Sequence, residues 1–108
     1  MYRLTVLYGH PKDPAEFDRY YQEVHLPIAR KMKGLTGWTI GKCETAMPGE
    51  VPPYYMIVGL YAPSKADLER ILASPEGEAA IADVNNFATG GAKFFYDSEE
   101  TLISFSLP

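Results

Sequence analysis

Tyr54-Tyr55-Met56-Ile57-Val58-Gly59-Leu60-Tyr61-Ala62 is the strongest strand signal in the chain, and its reading decides the architecture. Aromatic and β-branched side chains suit a pleated surface, and residues two apart share a face. Tyr54, Met56, Val58 and Leu60 therefore point one way and Tyr55, Ile57 and Tyr61 the other, and both sets are apolar or aromatic. Helices packed on a sheet cover only one such face. The second needs its own cover, because an apolar face of this size exceeds what a monomer usually leaves in water. The simplest cover is another copy of the chain, packed sheet to sheet about a two-fold axis, so the pattern predicts a homodimer.

The elements around this strand complete the plan. Met1 to Tyr8 alternates Tyr2, Leu4, Val6 and Tyr8 against Arg3, Thr5 and Leu7, and Gly9-His10-Pro11 ends that first strand. Asp13-Pro14-Ala15-Glu16 supplies an N-cap acceptor, a proline at the first helical position and a capping-box glutamate, which predicts a helix to about Met32. Gly34 and Gly37 mark its exit. Trp38 to Glu44 reads as a strand, and the loop Met47 to Pro53 joins it to Tyr54–Ala62. Ser64 with Asp67 caps a helix through Leu72, and Ser74-Pro75 caps another that ends near Asn86-Phe87. Lys93 to Tyr96 is a fourth strand, followed by Thr101 to Leu107 as a short extended tail available for pairing. Strand, helix, strand, strand, helix, strand predicts an α+β fold, a ferredoxin-like four-stranded antiparallel sheet with helices on one face.

Composition narrows the function classes. The 108 residues, 46% hydrophobic, predict one domain over 1–108. The net charge is -4 and the cations are scattered, which leaves no footprint for nucleic acid or an anionic membrane surface. No apolar run approaches the roughly 20 residues of a membrane span, and the N-terminus reads as a strand rather than a signal peptide, so a cytoplasmic protein is expected. Cys43 is the single cysteine, and with His10 and His25 it makes no zinc or iron-sulfur spacing. No cofactor, whether haem, flavin or metal, is expected.

Chemistry concentrates in Tyr20-Tyr21-Gln22-Glu23-Val24-His25-Leu26-Pro27-Ile28-Ala29. At about 100° per residue Phe17, Tyr20, Tyr21, Val24 and Ile28 form an apolar stripe, with His25 at its edge, one turn beyond Tyr21. Pro27 has no N–H for the carbonyl of Glu23, which predicts a kink beside His25. Histidine is the side chain whose ordinary pKa lies nearest neutrality, which suits it to act as acid or base. Tyr21 is placed to share a ligand with it. Asp83 and Asn85, near the end of the late helix, can orient the imidazole or bind a polar group, although such residues are also ordinary helix-exit caps. Trp38 and Phe87 are candidate walls of a hydrophobic pocket and equally candidates for core.

Tyr20 to Pro27, followed by Lys33-Gly34-Leu35-Thr36-Gly37-Trp38, resembles the EthD family, named for ethyl tert-butyl ether degradation, within the dimeric α+β barrel superfamily. Ala82-Asp83-Val84-Asn85-Asn86-Phe87-Ala88-Thr89-Gly90-Gly91 carries the same likeness. The resemblance implies a dimeric barrel with a pocket between sheet and helices, in a superfamily of isomerases, monooxygenases, decarboxylases and haem enzymes. It points to a small hydrophobic or aromatic ligand, with His25 catalytic and Tyr21, Trp38, Asp83, Asn85 and Phe87 binding it. Cofactor-independent oxygenation, isomerisation or decarboxylation is the implied chemistry; the alternative is a non-catalytic binding or accessory protein of an oxidative catabolic pathway.

Overall fold

The computed structural model describes residues 1–105. Strands β1 (Tyr2–Tyr8), β2 (Gly37–Lys42), β3 (Met56–Ala62) and β4 (Ala92–Ser98) form one antiparallel sheet in the order β2-β3-β1-β4. The register sets Val6 between Val58 and Phe94, and Leu4 between Leu60 and Tyr96. Helices α1 (Pro14–Tyr20), α2 (Leu26–Ala29), α3 (Lys65–Ala73) and α4 (Pro75–Val84) cover one face. Leu4, Val6 and Tyr8 are buried beneath them together with Met56, Val58 and Leu60, as the period-two reading requires. This is the ferredoxin-like α+β arrangement.

Local chemistry explains the helix starts. Asp13 accepts from the backbone N–H of Glu16 at 3.2 Å, Ser64 from that of Asp67 at 3.1 Å and Ser74 from that of Gly77 at 3.1 Å. None of the helices described is long and apolar enough to cross a membrane. At the sheet end, the backbones of Gly9 and Gly90 press together so tightly that a Cβ on either would overlap the other chain segment. Only glycine fits there, and Gly9 N–H donates to the Gly91 carbonyl at 2.9 Å.

Three expectations change. The first helix is not one α-helix to Met32: a π turn, Tyr21–His25, joins α1 to α2, which ends at Ala29. Leu26 N–H bonds to the Tyr21 carbonyl, five residues back, so the irregularity expected from Pro27 is a widened turn. Tyr55 does not share the outer face with Ile57, because β3 begins at Met56. Its ring instead packs 5.2 Å from Phe17, and its hydroxyl donates to Asp18 at 2.9 Å. The outer face is also less uniformly apolar than the third strand suggests. Tyr61 lies over Gly37 and Gly59, and Arg3 forms a bidentate pair with Asp97 beside it, at 2.8 and 2.9 Å. In the tail, residues 101–105 lie outside any strand; Ser106 and Leu107 fall beyond the described residues.

Candidate functional site

The π turn decides where His25 points. Phe17, Tyr21, His25 and Ala29 are all buried, an unbroken row four residues apart. In a straight α-helix such a row drifts by roughly 40° at each step, since four residues exceed a 3.6-residue turn. A wider turn takes out that drift. His25 is therefore carried into the interior, 6% exposed, rather than left at the edge of the stripe.

There it meets Asp83, from the last turn of α4. His25 Nδ1 lies 2.9 Å from Asp83 Oδ2, with both side chains almost fully enclosed. The Tyr20 hydroxyl donates to Asp83 Oδ1 at 2.7 Å and the Asn86 amide at 3.0 Å. Burial opposes ionisation of Asp83, but the bonds from Tyr20, Asn86 and His25 outweigh it and hold the carboxyl below its usual range. An ionised carboxylate only accepts, so Nδ1 carries the shared proton. In the neutral ring the lone pair is then on Nε2, which has no protein partner among the described residues. Phe87 and Tyr21 hold the imidazole plane, with ring centroids 4.8 and 5.1 Å away.

His25 lines a cleft between sheet and helices. Its floor includes Leu4, Val6, Val58 and Leu60; Ala80 and Val84 of α4 face them, and Trp38, Met32 and Phe94 stand around the sides. The space open to the centres of water-sized molecules is about 40 Å³, enough for water and well below an ordinary ligand pocket. Polar groups are few. Tyr8 and Tyr21 also line the cleft; burial pushes the Tyr21 hydroxyl up to about 12, against the favourable influence of Trp38. Burial raises Tyr8 further, reinforced by Tyr21 and Asp83 nearby. Both phenols are neutral donors at ordinary pH. The Trp38 indole approaches the Tyr21 hydroxyl without bonding to it, and its buried Nε1–H has no hydrogen-bond partner among the described residues.

The residues singled out from sequence separate in three dimensions. His25, Tyr21 and Trp38 share the cleft, and Asp83 lies behind the imidazole. Phe87 is not a cleft wall: it is 5% exposed within an aromatic cluster with Tyr8, Phe17 and Tyr20, and supports the ring from behind. Asn85 is exposed at the α4 C-cap. The asparagine on the carboxylate is its neighbour Asn86, three residues after Asp83 on the same helical face, a spacing that carries the signal. Tyr20 falls on the apolar stripe by pattern, and nothing in the sequence signals that its hydroxyl bonds to Asp83. Among the described residues no three His, Cys, Asp or Glu side chains gather as a metal site.

The chain and its fold have relatives. An uncharacterised 11.0 kDa protein from the thcB-thcC intergenic region of Rhodococcus erythropolis is 42% identical over 103 residues, covering 95% of this chain and 99% of that protein. The crystal structure of an EthD family protein from Bacillus halodurans is 26% identical, with a TM-score of 0.84 over 93% of this chain and 99% of that one. At the level of fold alone, SnoaB, a cofactor-independent oxygenase from Streptomyces nogalater, is 14% identical with a TM-score of 0.61, over 95% of this chain and 96% of that one. The EthD domain model matches residues 10–91, which include the π turn, His25, Trp38 and Asp83. With that match and the Rhodococcus relative, the chain belongs to the EthD family.

Proposed function

We propose that the protein binds a small hydrophobic or aromatic molecule in the cleft and moves a proton on it with His25, without a cofactor. The observation that carries this reading is the buried His25–Asp83 pair, with the imidazole opening onto a largely apolar cleft. Enclosing a hydrogen-bonded carboxylate and imidazole costs desolvation that an apolar pair would avoid, so such a pair is a candidate for chemistry. Asp83 fixes the ring and its tautomer; Nε2 is the proton acceptor; Leu4, Val6, Val58 and Leu60 exclude water from the ligand. An oxygenation, isomerisation or decarboxylation that begins with loss of a proton fits this arrangement. A ring-sized ligand needs Met32, Trp38 or Phe94 to swing outward, since the resting space is about 40 Å³.

The test uses Trp38, the sole tryptophan, as its own reporter. Titration with phenolic and polycyclic aromatic compounds is expected to give a saturable change in Trp38 emission, and at least one ligand should be turned over aerobically by the wild type and not by His25→Ala. No saturable change with any of them contradicts binding. Equal turnover by His25→Ala contradicts the catalytic role.

The same reading includes a homodimer through the outer sheet face. Leu7 pairs with Ile57 across β1 and β3, and Phe95 adjoins on β4; Ile57 and Phe95 are 41% and 48% exposed. Sedimentation equilibrium at micromolar concentration is expected to give twice the 12.0 kDa chain mass, and Ile57→Asp to lower it. A wild-type monomer contradicts the dimer.

A further inference from the structure

We infer that the ligand carries a hydroxyl on an unsaturated carbon, a phenol or an enol, and that Trp38 Nε1–H is the donor that reads its oxygen. The inference rests on the cleft reading above and narrows its ligand class.

Donor and acceptor capacity decides the class. Indole Nε1 can only donate, and it is buried near the Tyr21 hydroxyl without a hydrogen bond to it or to any other of the described residues. His25 Nε2, with Nδ1–H committed to Asp83, offers only a lone pair when the ring is neutral. The two groups line the same cleft, bridged by Tyr21, whose ring centroid is 5.1 Å from that of the imidazole. A hydrocarbon satisfies neither. A carbonyl oxygen accepts from Trp38 and gives the imidazole nothing, an ammonium serves His25 and leaves the indole orphaned, and an amide serves both only from two separate atoms. A hydroxyl both donates and accepts. Aliphatic alcohols share that capacity but hold their proton too tightly for an imidazole to remove. A phenol or enol loses it to Nε2, the O–H bond breaking with its electron pair left on oxygen, and the resulting anion accepts more strongly from Trp38 Nε1–H. No oxidant is needed for that step. Leaving a buried donor unpaired costs more than a bond to water returns, so the cleft discriminates against ligands that lack the oxygen.

Phenol and toluene, which match in shape and differ in O–H against CH₃, are the probes. The single indole N–H gives one resolved proton–nitrogen signal in the intact protein. Phenol is expected to bind roughly tenfold more tightly than toluene and to move the Trp38 indole proton downfield, with toluene leaving that proton nearly in place. In Trp38→Phe, toluene affinity should persist while the preference for phenol falls severalfold. An unmoved indole signal at phenol saturation overturns the inference, as does an unchanged phenol-to-toluene ratio in Trp38→Phe. If that ratio instead collapses only in His25→Ala, the cleft reading stands and the Trp38 assignment fails. If neither probe perturbs any cleft signal, both fall together.

Discussion

The first helical segment carries two charged clusters that face opposite ways. Outward, Arg19 bridges Glu16 at 2.6 Å and Glu23 at 2.9 Å, with all three side chains about half exposed. Inward, six residues on, His25 meets Asp83 in an enclosed site that also takes hydrogen bonds from Tyr20 and Asn86. The bond lengths are similar and the physics is not. Solvent screens the Arg19 cluster and both partners stay hydrated if it breaks, so it contributes little. In the Asp83 network, loss of either buried member, His25 or Asp83, strands the other away from water, while the half-buried Tyr20 and exposed Asn86 reach solvent. Distance alone does not rank these interactions; enclosure does.

Removing the hub of the inner cluster should have the largest effect. Asp83→Ala leaves the His25 N–H, the Tyr20 hydroxyl and the Asn86 amide without their acceptor, and is expected to cost about 2–4 kcal/mol in urea unfolding. Asp83→Asn keeps the shape and should cost less. A cost for Asp83→Ala no greater than that of a typical surface substitution would mean that the network is slack.

Acid gives the next largest effect, and its sign follows from Asp83. Its folded pKa is depressed, so the network's contribution is fully present above the ordinary aspartate value of about 3.9 and is lost as pH falls through the lower folded value. The stability gap between wild type and Asp83→Asn should therefore close as pH falls below about 4. A gap that persists undiminished well below about pH 4 would reverse the assignment. Tyr20→Phe, which removes one of three donors to the carboxylate, should lower Tm by less than Asp83→Ala and shift the acid limb toward higher pH. Arg19→Ala comes last: its Tm should match the wild type at both low and high salt. A drop comparable to that of Tyr20→Phe would erase the contrast between the two clusters.

Sheet, helix order and caps were legible because each rests on local chemistry: the alternation of β1 and β3, the Asp13, Ser64 and Ser74 caps, and the turn glycines. The family likeness reached His25 and Asp83 through neighbouring residues, without saying that they touch. What pattern reading missed depends on geometry set elsewhere. Pro27 signalled an irregularity, but whether the chain kinks or widens into a π turn is settled by packing Tyr21 and His25 against the sheet. Asn85 and Asn86 are alike in sequence, and only the helical phase relative to Asp83 separates them. Phe87 lies close to the imidazole, yet the aromatic cluster with Tyr8 and Phe17 holds it behind the ring rather than in the cleft. Tyr55 broke the alternation because its hydroxyl found Asp18 just before the strand began.

The central claim is that Asp83 fixes His25 with its proton on Nδ1 and presents Nε2 to the cleft as an acceptor. Long-range proton–nitrogen correlation of the two histidines, at a pH where the His25 ring is neutral, measures this directly, with His10, whose Nε2–H donates to the Pro52 carbonyl at 2.6 Å, as the internal contrast. The account predicts a protonated Nδ1 and an unprotonated Nε2 in the wild type, and loss of that fixed tautomer in Asp83→Ala. A wild-type ring protonated on Nε2, or one with the same tautomer balance as His10, would contradict it.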